Sequence, residues 1–291
     1  MKKLVQRLLF GIGILSLGIT FTGCHASHSQ TDSQKTISRQ TEPQAGPTET
    51  ETSSTLSLID ASGMTLESRI HTSDGYTRTK YDGSKKRNQK AHVAVFDLPL
   101  EHEDLQQCAD SAIRVYAEYF WSTKQYDRIA FHFTNGFDAQ YTKWADGYRI
   151  RVNGNNVSWI KSAQPDTSYD SLKDYLRIVF SYAGTASMDT EAQPIPLSDL
   201  QVGDVFLKGG NPGHVVMVVD LCENADGKKA FLLAQGYMPA QQFHVLKNPA
   251  HEDDPWYYED EVTYPFHTPE YTFQKGSLKR LNYGITHTAP E

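Results

Sequence analysis

The sequence predicts one α+β domain over residues 58–291, with helices first and an antiparallel set of strands after them. Apolar side chains recur at three- and four-residue spacing in residues 104–122, the pattern of an amphipathic helix. From residue 202 onward, short apolar runs alternate with turn residues, which is typical of strands. No polar linker interrupts this part of the chain, so a single domain is expected.

Residues 1–23 predict a lipoprotein signal peptide. A basic start and an apolar run from Leu8 to Phe21 lead to Thr22-Gly23-Cys24. This order predicts export, cleavage before Cys24 and lipidation of that cysteine. The alternative is an uncleaved anchor, but the run is short for a spanning helix of about 20 residues. We therefore expect a lipid anchor in the cell envelope, and His25 after the anchor cysteine resembles outer-membrane sorting.

Residues 24–57 are expected to form a disordered tether. They are almost wholly Ser, Thr, Gln, Glu, Pro, Gly and His. Such a segment has too little apolar surface to offset the entropy cost of ordering. The tether would hold the domain away from the membrane.

Charge argues against nucleic acid as a partner. The chain has 28 basic and 35 acidic residues, and cleavage would remove only Lys2, Lys3 and Arg7 among them. The formal net charge would then move from -7 to about -10, without basic clusters. The sequence also lacks the zinc, calcium-loop, phosphate-loop and dinucleotide motifs, so no metal or cofactor is expected.

The elements of the domain can be predicted in order along the chain. Residues 104–122 predict a helix with Asp104 as its N-cap. Asp110, Arg114 and Glu118 are four residues apart and predict an ion-pair row in solvent. A second helix is predicted at 171–183. Strands or hairpins are predicted at 64–84, 92–97, 129–134, 148–159, 202–207, 214–221, 230–235 and 243–246.

The stretch Gly203–Asp220 carries the strongest chemical signal. Two predicted strands flank a Gly/Pro turn, and His214 opens the second strand beside Gly213. A histidine at a strand mouth can project its ring into a cleft, although a turn histidine that bonds to backbone has the same position.

This stretch resembles the histidine segment of papain-like hydrolases of the NlpC and CHAP types, in its Gly-Asp start, Gly-rich turn and Gly-His-Val-x-Val-Val-Asp strand. The resemblance implies a papain-like fold, in which a helix packs on an antiparallel sheet with additional strands and helices. It also implies a Cys-His-polar triad of Cys108 as nucleophile, His214 as base and Gln235 as orienting residue. Tyr237, Gln241 and His244 could line the same cleft, and His244 could replace Gln235.

Cys108 has three interpretations. As a nucleophile it needs its thiolate form, which a histidinium and a helix N-terminus both favour. It could equally be an inert buried thiol, because it lies at the edge of the apolar stripe. A disulfide with Cys222 is the third, but a strand over 214–222 would put Cys222 roughly 26 Å from His214, at about 3.3 Å per residue. One thiol cannot serve both His214 and Cys222.

The chain also resembles a larger group over residues 60–282. The blocks Gln107–Arg114, Tyr175–Thr185, Gly203–Asp220 and Leu233–Gln241 are similar in order to the domain-of-unknown-function family 4846. That family consists largely of uncharacterised bacterial lipoproteins, so this resemblance implies an envelope address and domain limits without an activity.

Two functions follow as hypotheses. The first is an envelope cysteine hydrolase that cleaves a peptide or amide bond, with peptidoglycan peptide as a candidate substrate. The second is a non-catalytic binding or scaffolding lipoprotein that presents a cleft or an aromatic face to an envelope glycan or another partner. The aromatic candidates for such a face are Trp121, Trp144, Trp159 and Trp256.

Overall fold

The computed structural model describes residues 70–72, 77–96, 98–223 and 227–283, with side chains from residue 77 onward. The predicted signal peptide, Cys24 and the tether lie outside the described residues. Within the described ranges, no helix combines the length and apolarity needed to cross a membrane.

The described strands are short, and every pairing among them is antiparallel. They are β1 (Ile70–Thr72), β2 (His92–Phe96), β3 (Ala130–His132), β4 (Asp138–Gln140), β5 (Tyr148–Asn153), β6 (Asn156–Lys161), β7 (Ala192–Pro194), β8 (Val205–Lys208), β9 (His214–Glu223), β10 (Lys229–Gln235), β11 (His244–Leu246), β12 (Tyr257–Tyr258), β13 (Phe266–His267), β14 (Thr272–Phe273) and β15 (Leu278–Leu281).

One sheet of nine strands dominates the described part of the chain. Its order is β1-β2-β11-β10-β9-β8-β15-β7, and β12 pairs with the start of β10. The pairs β3–β4, β5–β6 and β13–β14 form separate two-stranded sheets. The longest strands, β9 and β10, lie in the middle of the large sheet, where both faces can be covered.

Four α-helices lie within the described ranges: α1 (Cys108–Ser122), α2 (Tyr141–Ala145), α3 (Tyr169–Tyr182) and α4 (Thr185–Thr190). The second predicted helix is confirmed as α3, and Ser168 caps it by accepting from the Ser171 N–H at 3.2 Å. The prediction of a mixed fold with an antiparallel sheet is thereby confirmed.

The N-terminus of α1 differs from its prediction. The helix begins at Cys108, and Gln107 rather than Asp104 is the N-cap. The Asp110 carboxylate accepts from the Gln107 N–H at 3.0 Å, which satisfies a donor at the helix start. The Asp104 carboxylate instead accepts from the Ala240 N–H at 2.6 Å. A capping residue can serve another loop, and sequence spacing does not show which partner it takes.

The predicted solvent-facing ion-pair row on α1 is wrong. Asp110, Arg114 and Glu118 are all buried. Arg114 Nε donates to Glu118 Oε1 at 3.2 Å, and the Tyr169 hydroxyl donates to the same oxygen at 2.5 Å. The chain before α1 also covers this face, through Gln106 Oε1 at 2.5 Å from Arg114 Nη1. The prediction failed because Tyr169 of α3 and the chain before α1 cover the polar side of the helix.

The large sheet has a hydrophobic core on each face. Val215, Met217 and Val219 belong to the cluster that contains the buried residues of α1. Val216 and Val218 belong to the opposite cluster, which the C-terminal residues cover. Side chains alternate between the faces of a strand, so β9 contributes to both cores.

Candidate functional site

Cys108 lies at the first position of α1 and is half-buried. The backbone N–H of Val215 approaches its sulfur and lowers its pKa, which places the thiol near the first residues of β9. Cys108 and Cys222 are not joined by a disulfide. The thiol is therefore neither bridged nor sealed from solvent.

His214 is the first residue of β9, and its ring is buried between aromatic rings. The Tyr237 and Tyr271 ring centroids lie 4.9 and 4.8 Å from the centroid of the imidazole. Its Nε2 lies 2.7 Å from Oε1 of Gln235, at the end of the adjacent strand β10. Within the described residues this is the hydrogen bond that the imidazole makes, which leaves Nδ1 available to accept a proton.

The turn before His214 depends on its glycines. Residues 209–213 join β8 to β9, where Lys208 pairs with His214. Gly210 has φ +96°, a conformation that L side chains rarely adopt. A β-carbon on Gly213 would lie 2.2 Å from Oγ1 of Thr185 at the start of α4. The turn is thus packed tightly against α4, which fixes where β9 begins.

A second close approach joins β10 to α1. A β-carbon on Gly236, which follows Gln235, would lie 2.6 Å from the Gln107 carbonyl oxygen and 2.1 Å from Ser111 Oγ. The absent side chain lets β10 end against the first turn of α1. Gln235 and Cys108 are therefore held at the same end of the sheet.

Cys108 and His214 approach this end from opposite sides. His214 shares a face with Val216, because residues two apart on a strand point the same way. That face carries the core cluster opposite α1, whereas Val215 packs toward α1. Among the described residues no hydrogen bond joins the sulfur to the imidazole, and a reacting group would have to reach both around the strand end.

Behind Gln235 lies a buried polar network. Gln235 Nε2 is 2.9 Å from Glu270 Oε2 and 3.3 Å from His244 Nε2. Arg78 is fully buried, and its Nη1 is 3.0 Å from Glu270 Oε2 and 2.5 Å from His244 Nε2. His244 Nδ1 is 2.8 Å from the Gln242 carbonyl oxygen. The polar contacts of Gln235 thus continue to a buried ion pair.

A family model described as "Domain of unknown function (4846)" matches residues 66–280, about three quarters of the chain. The chain belongs to this family. The resemblance found in the sequence is confirmed at that level. The matched range contains Cys108, His214 and Gln235, and also Arg78 and Glu270 of the network. Searches of curated proteins and of solved structures gave no match.

The structure separates the three cleft candidates of this domain-of-unknown-function (4846) chain. Tyr237 is half-buried and lies against the His214 ring, with Lys86 Nζ 4.5 Å from the Tyr237 ring centroid. Gln241 and His244 are fully buried, so neither lines an open cleft. His244 contacts the amide of Gln235 and belongs to the layer behind it.

Sequence reasoning missed Arg78, Glu270 and Tyr271. Arg78 and Glu270 are 192 positions apart, and neither stands in a pattern that points to a buried pair. Tyr271 follows Glu270, and no pattern distinguishes it from the other tyrosines of the chain. Among the described residues, no group of three or more His, Cys, Asp or Glu side chains could hold a metal ion.

Burial keeps the candidate pair neutral at rest. Burial, with a smaller contribution from the Asp110 charge, raises the pKa of the Cys108 thiol to about 11. Burial lowers the pKa of His214 to about 4. The sequence suggested that histidinium would favour a thiolate, but a low-dielectric site disfavours both charges. At neutral pH the strand end carries a thiol on the α1 side and, on the other face, a neutral imidazole that can accept a proton.

Proposed function

We propose that this chain is an exported, lipid-anchored cysteine hydrolase that cleaves a peptide or amide bond. The single observation that carries the proposal is the 2.7 Å contact between His214 Nε2 and Gln235 Oε1, at the end of the sheet where a helix also begins with a cysteine. Nucleophile, base and orienting residue then occur in the order of papain-like hydrolases. A helix packed on an antiparallel sheet is compatible with a papain-like fold.

The reaction is acyl transfer through a thioester. Cys108 Sγ forms a bond to the substrate carbonyl carbon while the thiol proton passes through a water at the strand end to His214 Nδ1. The backbone N–H of Cys108 donates to the developing oxyanion. The carbon–nitrogen bond then breaks, and His214 returns the proton to the leaving amine. Water attacks the thioester in the second half, with His214 again accepting and returning one proton.

Proton transfer accompanies attack because the resting pair is neutral. Burial opposes a separated thiolate and imidazolium, so charge develops mainly when substrate is present. A substrate that fills the strand end would exclude water and strengthen the hydrogen bonds there. This mechanism predicts a site that is slow toward small alkylating agents compared with a preformed ion pair, but dependent on His214.

The envelope address supports cell-wall peptide as the substrate class. The predicted lipid anchor on Cys24 and the tether over residues 24–57 would place the domain within reach of peptidoglycan. The positive charge of Lys86 beside Tyr237 gives the rim of the site one cation toward carboxylates of such a peptide. Replacing Cys24 with Ser would abolish incorporation of radiolabelled fatty acid if the anchor is as proposed.

The test combines alkylation with digestion. Iodoacetamide labelling of Cys108 should slow in His214→Ala, and Cys108→Ala should lose hydrolysis of purified cell wall or of an amide substrate. Cys222→Ala is the matched control, because it removes the other thiol of the domain and should change neither result. A Cys108→Ala protein that digests cell wall as fast as wild type would refute the hydrolase.

A second function is a non-catalytic binding or scaffolding lipoprotein. The observation that favours it is the raised pKa of Cys108, which is typical of an inert buried thiol. It predicts that folded Cys108 labels no faster in wild type than in His214→Ala. A face built from all four tryptophans has less support, because Trp144 is buried and donates to Ser171 Oγ at 3.1 Å.

A further inference from the structure

We propose that the buried Arg78–Glu270 pair is a positioning device that decides which nitrogen of His214 carries the proton. The inference deepens the proposed function and rests on it for its purpose, because a base at this site needs an unprotonated Nδ1. Its structural content can be tested separately from hydrolysis. The direction of each hydrogen bond in the network follows from the one before it, beginning at Arg78.

Arg78 fixes the first step because a guanidinium can only donate. Its Nη1 lies 2.5 Å from Nε2 of His244, so that nitrogen must accept. The proton of neutral His244 is then on Nδ1, which donates to the Gln242 carbonyl oxygen at 2.8 Å. Arg78 Nη1 also donates to Glu270 Oε2 at 3.0 Å, which keeps the carboxylate in place.

The next hydrogen bonds determine the orientation of the Gln235 side-chain amide. The end of its amide assigned as Nε2 faces Glu270 Oε2 at 2.9 Å and His244 Nε2 at 3.3 Å. Both neighbours are acceptors, so this end must be the NH2 group. A flipped amide would turn its oxygen toward a carboxylate, which is repulsive in a site with little water. Oε1 must therefore point away from Glu270.

The orientation of Gln235 in turn determines the tautomer of His214. Gln235 Oε1 lies 2.7 Å from His214 Nε2, and an oxygen can only accept, so Nε2 must carry the proton. The lone pair is then on Nδ1, the nitrogen that the proposed reaction uses as base. The charge of one buried arginine thus determines the tautomer of an imidazole two side chains away.

Gln235 could not do this alone. A carboxylate in its place would always accept, but an amide has a donor end and an acceptor end of nearly equal shape. Glu270 removes that ambiguity, and its side chain is only 9% exposed, so water competes little for Gln235. With the Arg78–Glu270 pair in place, the neutral Gln235 always presents an acceptor to His214, as a carboxylate would.

The test measures the tautomer of His214 by nitrogen-15 NMR on the folded domain. Wild type should show a proton on Nε2. Glu270→Gln should populate both tautomers, because it removes the negative charge that repels Gln235 Oε1 and so makes the flipped Gln235 amide accessible. If two orientations of Gln235 become equally populated, the alkylation rate of Cys108 should fall about twofold, in proportion to the competent fraction.

Glu118→Gln is the matched control. Glu118 also pairs with a buried arginine, Arg114, but its contacts do not lead to His214. A merely structural effect of losing a buried carboxylate would appear in both variants, whereas the tautomer should change only in Glu270→Gln. Should Glu270→Gln fail to fold, Glu270→Asp keeps the charge for Arg78 and withdraws the acceptor from Gln235, and it should also mix the tautomers.

The outcomes separate this inference from the proposed function. A wild-type His214 protonated on Nδ1, or an unchanged tautomer in the folded Glu270 variants, overturns the inference even if Cys108 is needed for hydrolysis. Conversely, mixed tautomers in those variants support it, and a cell-wall digestion that does not need Cys108 would then overturn only the hydrolase.

Discussion

Gly236 lies so close to Ser111 that a β-carbon at position 236 would come within 2.1 Å of the Ser111 hydroxyl oxygen. Ser111 is itself held, because its hydroxyl donates to the Gln107 carbonyl oxygen at 2.7 Å. The end of β10 and the first turn of α1 thus form one rigid junction. The side chains of Cys108 and Gln235 are spaced by this contact between two backbones.

Gly236→Ala should destabilise the domain by about 1–3 kcal/mol, the usual range for overpacking a close contact. The new methyl group would also meet backbone oxygen of Gln107, which cannot rotate away. Denaturant unfolding would measure the loss. Gly184→Ala is the control, since its β-carbon would meet nothing within 4 Å and its backbone is extended. Equal stabilities of the two variants would contradict the junction.

Asp110→Asn should speed alkylation of Cys108 at pH 8. Burial raises the pKa of the Asp110 carboxyl to about 7, so the group is charged at pH 8 and neutral at pH 5.5. Its charge adds to burial in raising the pKa of Cys108, and removing it makes the thiolate easier to form. The difference from wild type should vanish at pH 5.5. Asp104→Asn, at an exposed acid before the same helix, should leave the rate unchanged at both pH values.

Acid should destabilise the domain partly through His214 and His244. Burial lowers the pKa of each to about 4 from an ordinary value of 6.5. The unfolded chain therefore binds these protons first, and stability is lost as pH falls from about 6.5 to about 4. Each histidine contributes at most about 3 kcal/mol to that loss.

The histidine effect must be measured by comparison with a variant, because the contribution of Asp110 to stability changes with pH in the opposite direction. The pKa of Asp110 is raised in the folded state, so its contribution improves as pH falls. His214→Gln should show a shallower fall in urea midpoint between pH 6.5 and 4.5 than wild type. His132→Gln should instead steepen the fall, because the hydrogen bond to Glu191 raises the pKa of His132 and its protonation favours the folded state. A His214→Gln slope equal to wild type would disprove the effect.

Ser168→Ala should cost about 1 kcal/mol of stability. Ser168 Oγ accepts from the Ser171 N–H at the start of α3, and a methyl group cannot replace that bond. Thermal unfolding would show the change, and Cys108 alkylation in the folded state should be unaffected. Ser181→Ala, on an exposed part of the same helix, provides the comparison. A larger effect at Ser181 would argue against the cap.

Much of the fold could be predicted because its pattern is local. The apolar run of β9, the apolar stripe of α3 and the Gly154-Asn155 turn between β5 and β6 are each present within a dozen residues. The elements that were missed are short or lack a periodic face. Examples are α2, α4 and the strands after β11, which the tertiary packing stabilises.

Of the candidate site, the sequence pointed to three residues and missed the buried polar network behind Gln235. Cys108, His214 and Gln235 stand in recognisable local contexts, and the described structure joins the last two by a 2.7 Å contact, with Cys108 on the α1 side of the strand end. The layer behind them depends on the pairing Gln235–His244 between β10 and β11, and on Arg78 arriving from a segment before β2. Contacts between residues so far apart in the chain cannot be inferred from residue spacing. The sequence also does not distinguish a buried arginine from an exposed one.

The position of Arg78 has a practical consequence for shortened versions of the protein. A fragment cut just before β2 would retain Cys108, His214, Gln235 and Glu270, together with most of the central sheet. It would lack the cation that neutralises the Glu270 carboxylate, leaving an uncompensated negative charge in the interior. Expression boundaries for biochemistry should therefore begin upstream of residue 78, however dispensable that leading stretch looks.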